Sequence, residues 1–257
     1  MLTRPHSGNE TVSRRVPARK AAGEAEGAYS ALYLTEVLSE LNGGAQFLDR
    51  LTLEEVSAVR RVASSITLAA GETVFLQGDR HNGIFLIESG RVRIYYAGPS
   101  GREITLAYWT PGHFIGGPEL FGGGFHIWSA SVVETARLAY LPGGAIRQLA
   151  LTVPAVALCL IEGLVAKGKC YSALVQMLGT RSVTERLAQL LLILAELDER
   201  GGQMAVKRRI THEQIASIVG STRQWVTSTL RRFQKRGIIH IQRGTIIIER
   251  ADLLRAE

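Results

Sequence analysis

Apolar residues in the last third of the chain fall at helical spacing, break, and resume. Ile215, Ile218 and Val219 give one helix an apolar face, and Val226, Leu230 and Phe233 give a second. Gly220 supplies the turn between them. Thr211 stands where it caps the first helix, and Ser221 or Thr222 where it caps the second. The opposite face of the second helix carries Gln224, Thr227, Ser228 and Arg231, with Arg223 at its start and no carboxylate. Amides and hydroxyls suit base edges in the DNA major groove, and cations suit phosphates. The alternative is a helical hairpin with a solvated polar face. Residues 238–248 alternate around Arg243 and Gly244, which predicts a two-stranded wing beside that helix.

Between 66 and 141 the apolar period changes to that of strands. β-Branched and aromatic residues alternate, with reversals expected at Gly71, Gly78, Gly90, 98–101 and Gly112. Strands this short and close predict a small antiparallel roll or jelly roll. Ahead of it, 29–41 has helical spacing, and 47–63 reads as a further helix or pair of short helices. Residues 1–28 are polar and of mixed charge, as expected of a disordered tail.

Pro154 opens a long helix. Leu160, Leu164, Lys167, Tyr171, Leu174 and Leu178 repeat in it at 4-3-4-3-4 spacing. That pattern predicts a coiled-coil seam against a second copy, the alternative being packing on the chain's own roll. Gly179 is expected to break the helix and act as a hinge. The expected architecture is α+β: a tail at 1–28, helices plus an antiparallel β-roll at 29–152, a dimerisation helix at 153–178, and a winged helix-turn-helix at 179–257.

Composition leaves this picture unchanged, at 46% hydrophobic and 21% charged. Charge sharpens it. The net charge is +7, and from residue 179 onward 14 Lys and Arg face 8 Asp and Glu, so +6 of it lies there. A basic C-terminal domain is the electrostatic footprint of nucleic-acid binding. Cys159 and Cys170 stand eleven residues apart on one helix, too far to pair, and read as small buried hydrophobes. No signal core or membrane-length apolar stretch is present, so a cytoplasmic protein with no membrane partner is expected. No P-loop, nucleophile motif or His/Cys/carboxylate cluster has usable spacing, which argues against an enzyme and against a metal site.

In series, these parts resemble the CRP/FNR family of bacterial transcription regulators, from about Phe47 to the C-terminus. The resemblance rests on Gly71-Glu72-x-x-Phe75-x-x-Gly78-Asp79, on Phe85-Leu86-Ile87-x-x-Gly90-x-Val92 and on Gly112-x-Phe114-x-Gly116. It extends to Thr184-Glu185-Arg186-Leu187-Ala188-Gln189 and to the 223–239 run. It implies a cyclic-nucleotide-binding-type roll acting as a sensor, a dimerisation helix, and a homodimer on double-stranded DNA at a pseudo-palindromic operator. RNA polymerase is a further expected partner. Of the DNA-contacting positions, Thr211, Thr222, Arg223, Gln224, Thr227, Ser228, Arg231 and Arg243 are the candidates. Family members commonly have Glu where Gln224 stands and often Arg where Ser228 stands, so a deviating half-site is expected.

The roll departs from the cyclic-AMP-binding members. They carry Gly-Glu after the Phe-x-Gly segment and, about ten residues on, an Arg-Ser or Arg-Thr pair on the phosphate. Here Glu119 is displaced, and the phosphate position holds Ile127 or Trp128, leaving His126 as the one nearby cation. Losing a bidentate guanidinium removes a strong charge-assisted contact. Cyclic AMP is therefore not expected as the effector. Trp109, Gly116, Glu119, Phe125, His126, Trp128, Ser129 and Tyr171 are candidates to line a pocket for another, unidentified small molecule, unless the rings are simply core. No cofactor is assigned. The family's iron–sulfur sensors need an N-terminal cysteine cluster, absent here. Its haem sensors place their ligating histidine near Pro118, and His113 and His126 read as ordinary histidines.

Overall fold

The computed structural model describes residues 47–116, 124–197, 204–206 and 210–257. The 1–28 tail, the helix expected at 29–41 and Glu119 lie outside the described residues.

Thr52 opens the first helix, α1 (Leu53–Val62), with a capping box: its hydroxyl accepts from the Glu55 N–H, and the Glu55 carboxylate accepts from its own N–H. Eight strands follow: β1 (Ser64–Leu68), β2 (Thr73–Phe75), β3 (Arg80–His81), β4 (Gly83–Ala97), β5 (Glu103–Trp109), β6 (Phe114–Gly116), β7 (Gly124–Phe125) and β8 (Ser129–Pro142). The main sheet runs β1-β8-β4-β5, all antiparallel, with β2 on β8 and β6 on β4; β3 and β7 pair separately.

Gly90, expected at a reversal, instead lies inside the 15-residue β4. Its φ is +82° and the register with β8 shifts on both sides of it, so it forms a bulge. A Cβ there would lie 2.4 Å from the Thr135 carbonyl, so the strand bends tightly onto its partner and continues. Ile87, Val92, Ile94, Trp109 and Leu138 fill the roll from within.

A short helix that the sequence reading did not predict, α2 (Gly143–Thr152), leads into α3 (Pro154–Thr180). The inner face of α3 carries Val156, Leu160, Cys170, Leu174 and Met177 into the roll's own core. At Gly163 the helix comes so close that a Cβ would meet the Phe114 ring at 2.4 Å. The residues of the expected seam divide between the two faces of the helix. Leu160 and Leu174 are buried within one chain, and Tyr171 and Leu178 pack beside them. Leu164, of the same expected seam, lies 46% exposed, because α3 carries two apolar stripes. Leu158, Ile161, Val165 and Val175 lie 52–69% exposed on the other one.

Helix α3 also runs through Gly179, which was expected to end it. A single helical glycine costs only about 1 kcal/mol. The boundary falls at Ser182, whose hydroxyl accepts from the Glu185 N–H while the Glu185 carboxylate accepts from the Ser182 N–H. Helix α4 (Val183–Leu197) then organises a second core. Leu187, Leu191 and Leu194 pack there with Ile215, Val219, Val226, Leu230 and Phe233. Around it lie β9 (Ala205–Val206), α5 (His212–Val219), α6 (Arg223–Lys235), β10 (Ile239–Gln242), β11 (Thr245–Ile248) and α7 (Ala251–Arg255), with sheet order β10-β11-β9. Among the described residues no single helix is long and apolar enough to cross a membrane; α2 and α3 have the combined length but bend by 117°.

Candidate nucleic-acid interface and its connection to the roll

Helices α5 and α6 are fixed by local chemistry. Thr211 accepts from the Gln214 N–H, and the Gln214 side chain accepts from the Thr211 N–H. Gly220 ends α5 in the left-handed conformation (φ +66°), as only glycine does without strain. Thr222 caps α6 by accepting from the Trp225 N–H. Val226, Leu230 and Phe233 are buried, while Arg223, Gln224, Ser228 and Arg231 are exposed. Arg243 (φ +50°) and Gly244 (φ +83°) form the tip of the wing, where two-residue hairpins need positive φ.

The eight candidate residues separate by what their side chains already do. Arg223, Gln224, Arg231 and Arg243 extend outward with no side-chain hydrogen bond to other described residues. Thr211 and Thr222 are engaged as caps. The Ser228 hydroxyl donates to the Trp225 carbonyl at 2.9 Å. The Thr227 hydroxyl donates to the Arg223 carbonyl at 2.9 Å and lies 2.8 Å from His212 Nδ1. The hydroxyls thus serve the helix scaffold first, and the amide and guanidinium groups present the outer face.

The back of this unit rests on β5 of the roll. Arg93 Nε donates to Thr105 Oγ1 at 2.8 Å, and Thr105 Oγ1 lies 2.9 Å from Ser217 Oγ in α5. The Ser217 hydroxyl proton is committed to the Gln214 carbonyl, so Thr105 donates to Ser217. The relay is directional: Arg93, Thr105, Ser217, Gln214. Glu103 holds Arg93 with a 2.8 Å ion pair. Arg102 donates to the Gly220 carbonyl, in the turn itself. Arg186 also approaches Gly220; its pKa is lowered, first by burial and then by Arg102.

Inside the roll the described residues of the expected pocket stand in different surroundings. Trp128 and Tyr171 face each other with ring centroids 6.1 Å apart. Burial pushes the Tyr171 hydroxyl well above the ordinary phenol range. Trp109 is fully buried. Phe125 points outward, 58% exposed, under the Arg80 guanidinium. Gly116 is a packing glycine: a Cβ would lie 2.9 Å from the Gly83 carbonyl. The Ser129 hydroxyl accepts from the Gln77 N–H. His126 stacks on Phe75 at 3.7 Å beside His81. Burial, and then His81, hold its pKa down to about 4 against Asp79. That value disfavours the charged ring near neutral pH.

The cation that the structure does bring to Trp109 is Lys167, read from sequence as a flaw in a seam. It is buried. Its ammonium donates to the Phe114 carbonyl at 2.6 Å, and lies 3.8 Å from the Phe114 ring and 4.7 Å from that of Trp109. Burial lowers its pKa to about 7. His113, 5.0 Å from the Trp109 ring, is held below the ordinary imidazole value by burial first and then by Lys167. A lysine on an otherwise apolar helix stripe was the signal. The spacing of His212 and His81 in the chain carries no such signal. Among the described residues no group of three or more potential ligands could hold a metal ion.

Comparison with known proteins agrees with both halves. The family model for the cyclic nucleotide-binding domain matches residues 65–152, and that for the Crp-like helix-turn-helix domain matches 185–257. A Mycobacterium tuberculosis protein called a CRP-like cAMP-activated global transcriptional regulator is 27% identical over 201 residues, 77% of this chain and 90% of its own. The cyclic AMP receptor protein of Thermus thermophilus is 28% identical over 211 residues, 82% of this chain and 95% of its own. Among solved structures, the c-di-GMP-responsive global regulator CLP of Xanthomonas campestris shares the fold with a TM-score of 0.68 at 21% identity. That match covers 77% of this chain and 99% of that one. A CRP-family transcriptional regulator from Thermus thermophilus aligns with a TM-score of 0.60 at 25% identity, over 74% of this chain and 95% of its own.

Proposed function

This chain belongs to the CRP/FNR family of transcription regulators, and on that premise we propose that it is a homodimeric, sequence-specific DNA-binding regulator that does not depend on cyclic AMP. The observation that carries the DNA reading is the outer face of α6. It is exposed, bears Arg223, Gln224, Ser228 and Arg231, and has no acid in its first turn. A pseudo-palindromic operator and contact with RNA polymerase belong to the same reading. The exposed stripe Leu158, Ile161, Val165 and Val175 supports the dimer, since a second copy related by a two-fold axis would cover the same stripe. Two relatives carry cyclic AMP in their names. Here Ile127 and Trp128 hold the place of the phosphate-binding pair, and His126 beside them is neutral. Those three side chains offer a cyclic phosphate no charge-assisted contact.

The test is selection of duplexes from a random library by the full-length protein, with and without cyclic AMP, cyclic GMP and cyclic di-GMP. Recovery of one palindrome at equal strength without ligand is the expected result. A requirement for cyclic AMP would overturn the effector part, and recovery of no preferred sequence would overturn the specificity part. Within the recovered half-site, Gln224→Ala should relax one base pair by about 1–3 kcal/mol. Arg231→Ala should weaken selected and random duplexes alike and lower the salt slope by about 0.9.

A further inference from the structure

We propose that His212 contacts the DNA backbone and that DNA binding takes up a proton there, so that the regulator's affinity is set partly by pH. The inference rests on the DNA-binding reading above. His212 is the first residue of α5 and lies half-buried against α6. Its Nδ1 is 2.8 Å from Thr227 Oγ1. The Thr227 hydroxyl proton is already donated to the Arg223 carbonyl. Thr227 Oγ1 can therefore only accept from the imidazole, and Nδ1 must carry a proton. The neutral ring is left with its lone pair on Nε2, which bonds to no other described residue. One edge of the ring is thus held by the scaffold, and the other is a donor only when the ring is charged.

The charges around it explain why DNA would change that state. Arg223 and Arg231 face the ring from α6, and with burial as the larger cause they hold its pKa below 6.5. Glu213 follows it on its own helix. The α5 N-terminus adds positive potential of its own. A phosphate drawn in by the two arginines reverses the local field and favours the imidazolium, whose Nε2–H can donate to it. The pKa on DNA then exceeds the value in the unbound protein. The added affinity is complete below the unbound value and is lost as pH rises through the bound one.

The experiment uses the full-length protein and a duplex recovered by the selection above, titrated from about pH 5.5 to 8.5 at fixed ionic strength. His212→Asn keeps an amide donor toward Thr227 and cannot titrate. His212→Gln reaches toward the Nε2 position with a neutral amide. The expected result is that wild type loses about tenfold more affinity across this range than either variant, and converges with His212→Asn at the basic end. A random duplex should give the same wild-type slope, because phosphates carry no sequence. In wild type the His212 ring, followed by NMR, should titrate at higher pH with DNA than without. Equal pH slopes in all three proteins, or an imidazole titration unmoved by DNA, would overturn the proposal. Failure of wild type to bind any duplex at any pH would overturn the DNA-binding reading instead, and this inference with it.

Discussion

Lys167 concentrates the energetic question at the residue scale. A buried ammonium with one carbonyl acceptor and two aromatic faces is only partly compensated for the water it has lost. Its pKa in the folded chain is about 7, against an ordinary 10.5. Between those values the unfolded chain holds more protons than the folded one, so stability rises with pH across that window and declines as pH falls towards 7. Lys167→Met has similar reach and no charge. It should be more stable than wild type at neutral pH by about 2–4 kcal/mol, and the gap should close by about pH 10. Thermal unfolding at a series of pH values measures this. A gap that stays constant with pH would show that the ammonium bears no desolvation penalty. The residue was visible in the sequence as the polar member of an apolar stripe, but nothing in the sequence told whether that stripe met another chain or the roll.

The decisive contact at the element scale is β5 against α5. Both elements were legible, one from alternation and one from helical spacing with a capping threonine. Their meeting was not, because Thr105 and Ser217 are 112 residues apart and both are ordinary small polar residues. The relay from Arg93 through Thr105 to Ser217 is half-buried at Arg93 and buried at Thr105 and Ser217, so breaking it leaves a guanidinium N–H without an acceptor. Thr105→Val keeps the shape and removes the hydroxyl, and should cost about 1–3 kcal/mol. The loss should appear first as faster amide hydrogen exchange in α5 and the Gly220 turn, while β4 and β8 remain protected. Uniform acceleration across both cores would mean that the relay holds the whole fold and not the seating of the DNA-binding unit. Gly90 and Gly179 teach the same lesson. A glycine permits a turn or a break, but the ladder on both sides of Gly90 and the Ser182 cap decide whether one occurs.

Two surfaces remain open at the scale of the whole molecule: the outer stripe of α3 and the outer face of α6. If the first is covered by a second copy, one charge placed in it should separate the copies, because a buried carboxylate with no partner is costly. Val165→Glu lies 52% exposed in the single chain and should leave its fold intact. Sedimentation should then show a monomer, with binding to a palindrome reduced towards that of a half-site. A dimer that survives Val165→Glu would place the interface elsewhere.

What the sequence determined by itself is whatever depends on neighbours in the chain. The period of each element, the caps at Thr211 and Thr222, the left-handed turn at Gly220 and the acid-free face of α6 are all of this kind. Their causes act over three or four residues, so they are written in the local order. Tertiary structure alone decided which stripe of α3 is buried, that Lys167 sits over Trp109 and Phe114, that His126 is stacked and neutral, and that the helix-turn-helix rests on β5. Those outcomes turn on burial and on partners far apart in the chain. A lysine, a histidine or a threonine takes its charge state and its role from what surrounds it after folding.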